Sequence, residues 1–180
     1  MRRIETRLPD LVLIEPDVHG DERGFFVETW RGEWLPGVEF VQSNQSRSSR
    51  GVLRGMHFQV GSGIAKLVRC GRGRILDVAV DVRPGSTTFG QWDAHELDDV
   101  SHRQLFVPVG FAHGFCVLSE VADVVYQQDG YYDPQAERGI NYSDPDIGID
   151  WPDVGELTVS EKDAAAPRLA EIGDQLHFAR

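Results

Sequence analysis

Between about residue 10 and residue 130 the chain is a succession of short apolar runs, each cut off by glycine, proline or aspartate. Residues 11–15, 24–29, 52–59, 66–70, 74–83, 105–107, 111–118 and 121–127 read as strands, with no helical period among them. Many short antiparallel strands at close spacing predict a sandwich or a barrel. The clearest alternation is ILDVAVDVR at 75–83. Leu76, Val78, Val80 and Val82 share one face, expected on the core. Asp77 and Asp81 share the other with Ile75 and Ala79, a face turned to solvent or to a polar cavity. The run HGDERG at 19–24 reads as a turn, and Gly71–Gly73 as a hairpin turn. After about residue 130 the character changes. Residues 131–152 are loop-like, with Asp-Pro at 133–134 and 144–145 and Trp-Pro at 151–152; residues 160–172 form the best helix candidate, interrupted by Pro167.

The 180 residues, 41% of them hydrophobic, suit one domain spanning residues 1–180, a β core at about 10–130 followed by the loop and helix segment. No apolar run is long enough to span a bilayer, and the charged start MRRIETRLPD lacks a signal peptide's apolar stretch. Residence in the cytoplasm is the expectation. A net charge of −11 argues against a nucleic-acid partner. A small anion remains admissible if cations cluster locally; Arg23, Arg54, Lys66, Arg69 and Arg72 are candidates, Arg72 more readily read as a solvated surface charge. Cys70 and Cys116 lie in strand-like runs without zinc spacing and read as buried, reduced thiols.

Two histidines carry the chemistry: His57 in GVLRGMHFQ and His113 in PVGFAHGFCVL. A histidine in a strand is more often structural, so the surroundings decide. A metal site built on one strand needs a second histidine two positions away; Gly55 and Gln59 flank His57, and Phe111 and Phe115 flank His113. No nucleophile elbow is present, and Cys116 sits in apolar surroundings. General acid–base chemistry fits better. Histidine titrates near neutrality and can take a carbon-bound proton; the enolate so formed needs a cation, for which Lys66 is placed; and a tyrosine of VVYQQDGYYDP can return a proton. Arg54 and His57 have opposite strand parity, so both face one pocket only if the strand bulges, and Gly55 is the residue to allow it. Phe26, Phe40, Phe111 and Phe115 are expected in the core.

DERGFFVETW, QSNQSRSSRGVLRGMHFQ, AKLVRCGRGRILDVAVDVRPGSTTFGQW, VPVGFAHGFCVLSE, VVYQQDGYYDP, YSDPDIGIDWP and SEKDAAAPRL occur in this order. The series closely resembles the dTDP-4-dehydrorhamnose 3,5-epimerase family, over roughly residues 3–170. The resemblance implies an all-β, cupin-like double-stranded β-helix (jelly roll) with short C-terminal helices. It implies epimerisation of a dTDP-4-keto-6-deoxyhexose at C3 and C5 without metal or nucleotide cofactor. His57 would be the base and Asp163 its carboxylate partner. Lys66 would stabilise the enolate, held by Asp77, and Tyr126 would be the acid. His113 and Tyr132 would lie near the sugar. Arg23, Glu28, Gln42, Asn44 and Arg54 would hold the nucleotide and diphosphate. The family pattern further implies a homodimer in which N-terminal strands reach onto the partner and complete its site. Asp163 has a rival role, since it lies three residues after Ser160 at the spacing of a helix cap. Met56, Phe58, Ile64, Asn141 and Tyr142 depart from the family's usual residues, which bears on substrate placement. A mono-epimerase or ketoisomerase on a related sugar is the alternative; a non-catalytic nucleotide-sugar module and a metal-dependent cupin stand behind it.

Overall fold

The computed structural model of the chain describes residues 1–179. Thirteen strands follow one another: β1 (Arg2–Ile4), β2 (Val12–Glu15), β3 (Val18–Asp21), β4 (Gly24–Val27), β5 (Gln42–Ser49), β6 (Leu53–Gln59), β7 (Lys66–Arg72), β8 (Arg74–Asp81), β9 (Trp92–Asp98), β10 (Gln104–Val107), β11 (Phe111–Val117), β12 (Val121–Gln128) and β13 (Glu137–Gly139). One short helix, α1 (Glu161–Ala164), comes after them. A six-stranded sheet has the order β1-β2-β10-β7-β12-β5, and a five-stranded sheet the order β13-β6-β11-β8-β9. The pairings within both are antiparallel. The two sheets face each other as a jelly roll. Between them lies a core of Leu13, Val68, Leu105 and Val124 from the larger sheet against Ile75, Leu97, Phe111 and Val117 from the smaller.

Both sheets are covered on their outer faces too. Ile140, Ile147, Leu169, Ile172 and Leu176 of the C-terminal segment pack on Met56, Phe58, Val78 and Val80. Trp34 and Leu35 cover Ile14, Leu67 and Phe106 of the larger sheet. This reverses one expectation. Leu76, Val78, Val80 and Val82 lie under the C-terminal segment, whereas the face carrying Asp77 and Asp81 points between the sheets. Both carboxylates are buried and bonded rather than solvated: Asp81 accepts from Ser86 and Thr88 at 2.6 Å and from Arg83 at 2.8 Å.

The expected helix over 160–172 is shorter. α1 ends at Ala164, because Pro167 has no N–H to continue it, and only single 3₁₀ turns follow at Leu169–Glu171 and Gly173–Gln175. The 19–24 turn proves to be a hairpin, with β3 and β4 pairing Val18 to Val27 and Asp21 to Gly24. Phe26 is 71% exposed and Phe25 60% exposed on it, so Phe26 is not a core residue within this chain. Phe111 and Phe115 are core, and Phe40 packs edge-on against Trp30. Cys70 and Cys116 are buried and unbridged; burial pushes the Cys70 thiol up to about 12. No helix is long and apolar enough to cross a membrane among the described residues.

Candidate active site

The site begins with a glycine. Between the pairs Phe115–Arg54 and His113–His57, β6 takes three steps while β11 takes two, so β6 bulges. Gly55 sits in the bulge with φ +130°, and a Cβ there would lie 2.5 Å from the Gly114 Cα and 2.9 Å from the His113 carbonyl. Only glycine fits. The extra residue cancels the parity difference, and Arg54 and His57 both line one cavity of about 550 Å³.

The C-terminal segment brings the carboxylate. Thr158 bonds to the chain on either side of Val52, through Thr158 N to Gly51 O at 2.9 Å and Leu53 N to Thr158 O at 3.0 Å. This anchors the start of α1 beside the bulge. Ser160 caps α1, its Oγ accepting from Asp163 N at 3.1 Å. The buried Asp163 side chain is thereby left free to turn onto β6. Its Oδ1 lies 2.6 Å from His57 Nε2, and its Oδ2 accepts from Gly55 N at 3.2 Å. Capping and dyad formation coexist, since the cap uses the Asp163 backbone and the dyad its carboxylate. Nε2–H donated to Asp163 leaves His57 Nδ1 as the nitrogen able to take a proton. Burial holds the imidazole below its ordinary range, outweighing the opposing pull of Asp163.

Lys66, at the start of β7, and Tyr126, on β12, come from the opposite sheet. Both share the cavity with His57. Burial lowers the Lys66 ammonium to about 8, against the partial support of Asp77 and Glu137. Burial raises the Tyr126 phenol, so it stays protonated at neutrality. Lys66 Nζ reaches the His57 carbonyl at 3.4 Å. Asp77 is not its direct partner: the fully buried Asp77 accepts from His113 Nε2 at 2.9 Å and 3.0 Å, and acts on Lys66 only through its charge. His113 lines the cavity beside His57. Among the described residues no group of three or more His, Cys, Asp or Glu side chains could hold a metal ion.

A second lobe of about 290 Å³ shares His57, Lys66 and Tyr126 with the first and adds Gln42, Asn44, Gln128, Tyr132 and Glu137. Gln42 Nε2 donates to Asn44 Oδ1 at 3.0 Å, and Asn44 Nδ2 to Gln128 Oε1 at 2.9 Å. Tyr132 is half exposed at the rim, its hydroxyl donating to Glu137 Oε2 at 2.9 Å, while Lys162 bonds the same oxygen. Burial would raise Glu137, but the Lys162 and Tyr132 contacts together hold it below the usual carboxylate range. Sequence reasoning missed Glu137 and Lys162, which lie in a short strand and a short helix without a recognisable period. Glu137 pairs across from Gln59, two residues past His57 on β6. That closeness is tertiary. Lys162, next to Asp163, was within reach of the sequence once α1 was placed against β6.

Arg23 and Glu28 do not line either lobe of their own chain. Arg23 stands on the β3–β4 hairpin paired with Asp21, and Glu28 pairs with Arg31.

The family model for dTDP-4-dehydrorhamnose 3,5-epimerase matches residues 5–171. The dTDP-4-dehydrorhamnose 3,5-epimerase of Salmonella typhimurium is 50% identical, over 92% of this chain and 94% of its own. A dTDP-4-dehydrorhamnose 3-epimerase of Streptomyces niveus is 41% identical, over 89% and 80%. The crystal structure of a 3,5-epimerase from Legionella pneumophila, in complex with dTDP-4-keto-L-rhamnose, superposes with a TM-score of 0.94 at 46% identity, covering 99% of this chain and 98% of that one. A dyad in a two-lobed jelly-roll cavity and a match along nearly the whole chain lead to one conclusion: this protein belongs to the dTDP-4-dehydrorhamnose 3,5-epimerase family.

Proposed function

We propose that this protein epimerises a dTDP-4-keto-6-deoxyhexose at C3 and C5. The observation that carries the reading is the 2.6 Å His57–Asp163 dyad on one sheet with Lys66 and Tyr126 on the facing sheet of the same cavity. A proton on C3 or C5 is acidic because the C4 ketone takes up the charge left behind. His57 Nδ1 removes it, and Asp163 stabilises the imidazolium that forms. The Lys66 ammonium faces the enolate oxygen. Tyr126 delivers a proton from the opposite wall, so the carbon inverts. Solvent then takes the proton from His57 and returns one to Tyr126; repetition at the second carbon completes the reaction, and no step calls on a metal or nucleotide cofactor.

Arg54 is assigned to the diphosphate and Gln42 and Asn44 to the nucleotide, with His113 and Tyr132 against the sugar and Asp77 holding His113. Arg23 and Glu28 are assigned to the neighbour's site in a homodimer, carried there on the β3–β4 hairpin with its exposed phenylalanines. Residues 1–180 are read as one domain. The test is incubation with the 4-keto sugar nucleotide in deuterium oxide. Label at both C3 and C5 is expected; label at one carbon alone would make the protein a mono-epimerase, and label at neither would remove the mechanism.

A further inference from the structure

Arg54 is held by a side-chain hydroxyl. Arg47, also near the β5–β12 pair, is gripped by the carboxylate of Asp123 at 2.6 Å and 2.7 Å, and its charge is spent there. The Arg54 guanidinium lines the cavity, and its partner is a hydroxyl: Nε donates to Ser48 Oγ at 3.0 Å. No carboxylate pairs with it among the described residues. Ser48 is buried at the end of a row on β5, Gln42, Asn44, Ser46 and Ser48, whose alternate side chains turn inward. All four are neutral.

We infer that Ser48 is a positioning residue for the anion-binding arginine: it fixes the plane of Arg54 through Nε and leaves both terminal nitrogens aimed at a diphosphate. The inference rests on the proposed function and deepens it. Guanidinium binds phosphate through a rigid fork, and an unrestrained arginine must freeze several rotatable bonds before the fork can engage. A neutral acceptor removes part of that cost without lowering the charge. A carboxylate at the same place would compete with the ligand.

The experiment is calorimetric titration of the full-length protein with dTDP. Wild-type protein that does not bind dTDP would overturn the proposed function itself, a result distinct from those below. Ser48→Ala is expected to weaken dTDP binding about three- to tenfold, Ser48→Thr to restore it to within about twofold, and Ser48→Asp to weaken it more than Ser48→Ala does. In an Arg54→Ala background, Ser48→Ala should have no further effect. Unchanged affinity in Ser48→Ala, an undiminished loss in the Arg54→Ala background, or tighter binding by Ser48→Asp than by Ser48→Ala would each overturn the assignment. Thermal melting of the unliganded variants supplies the control. A merely structural role would lower the melting temperature and leave the coupling to Arg54 at zero, which overturns it as well.

Discussion

The His57 imidazole and the Lys66 ammonium are both shifted by burial, and in the same direction. The consequences for catalysis are opposite. The base must be neutral, so activity rises as pH climbs through the His57 value, below the ordinary 6.5. The cation must be charged, so activity falls as pH climbs through about 8. We expect a bell-shaped kcat/KM profile with its acid limb below 6.5 and its alkaline limb near 8. Lys66→Arg should move the alkaline limb out of range while lowering the plateau; an unmoved limb would separate Lys66 from the reaction. His57→Ala should reduce turnover by about 10³- to 10⁴-fold and leave dTDP affinity nearly intact, measured by initial rates and calorimetry. Tyr126→Phe should slow epimerisation by about 10²-fold or more yet still admit deuterium from solvent, since removal of the proton does not use the phenol. Loss of wash-in along with epimerisation would place Tyr126 on the deprotonation side.

At the scale of elements, two local devices bring the dyad together: the β6 bulge and the cap of α1. Gly55→Ala adds a Cβ 2.5 Å from the Gly114 Cα at a left-handed φ, where neither backbone can yield. We expect a cost of about 2–4 kcal/mol in denaturant unfolding, together with lost activity. The bulge was legible because Arg54 and His57 could share a pocket in no other way. Other elements were not. β5 escaped notice because its inward residues line a polar cavity and its outward residues meet water, so neither face is apolar. β13 is three residues long, too short for any period. β8 was found, but its faces were exchanged. Alternation marks two faces without saying which one a second sheet will cover, and here the C-terminal segment buries the outer one.

For the whole molecule, the C-terminal segment is a clamp as well as the source of Asp163. Burying each of its five aliphatic side chains contributes about 1.5–3 kcal/mol, a sum comparable to the stability of a whole domain. Ile172→Ala, far along the chain from His57, should therefore cost about 2–4 kcal/mol in urea unfolding; a cost below about 1 kcal/mol would mean that the segment packs loosely. The sequence by itself determined the all-β class, the pairing of His57 with a distant carboxylate through the family resemblance, and the need for a bulge at Gly55. Those properties follow from side-chain type, parity and motif, all local or ordered along the chain. Only the tertiary structure decided that Asp77 holds His113 rather than Lys66, that Glu137 and Lys162 join Tyr132 at the rim, and that Arg23 and Glu28 lie outside their own cavity. Each of these depends on which sheet covers which face and where a distant strand lands, and burial there sets the charge a group can carry.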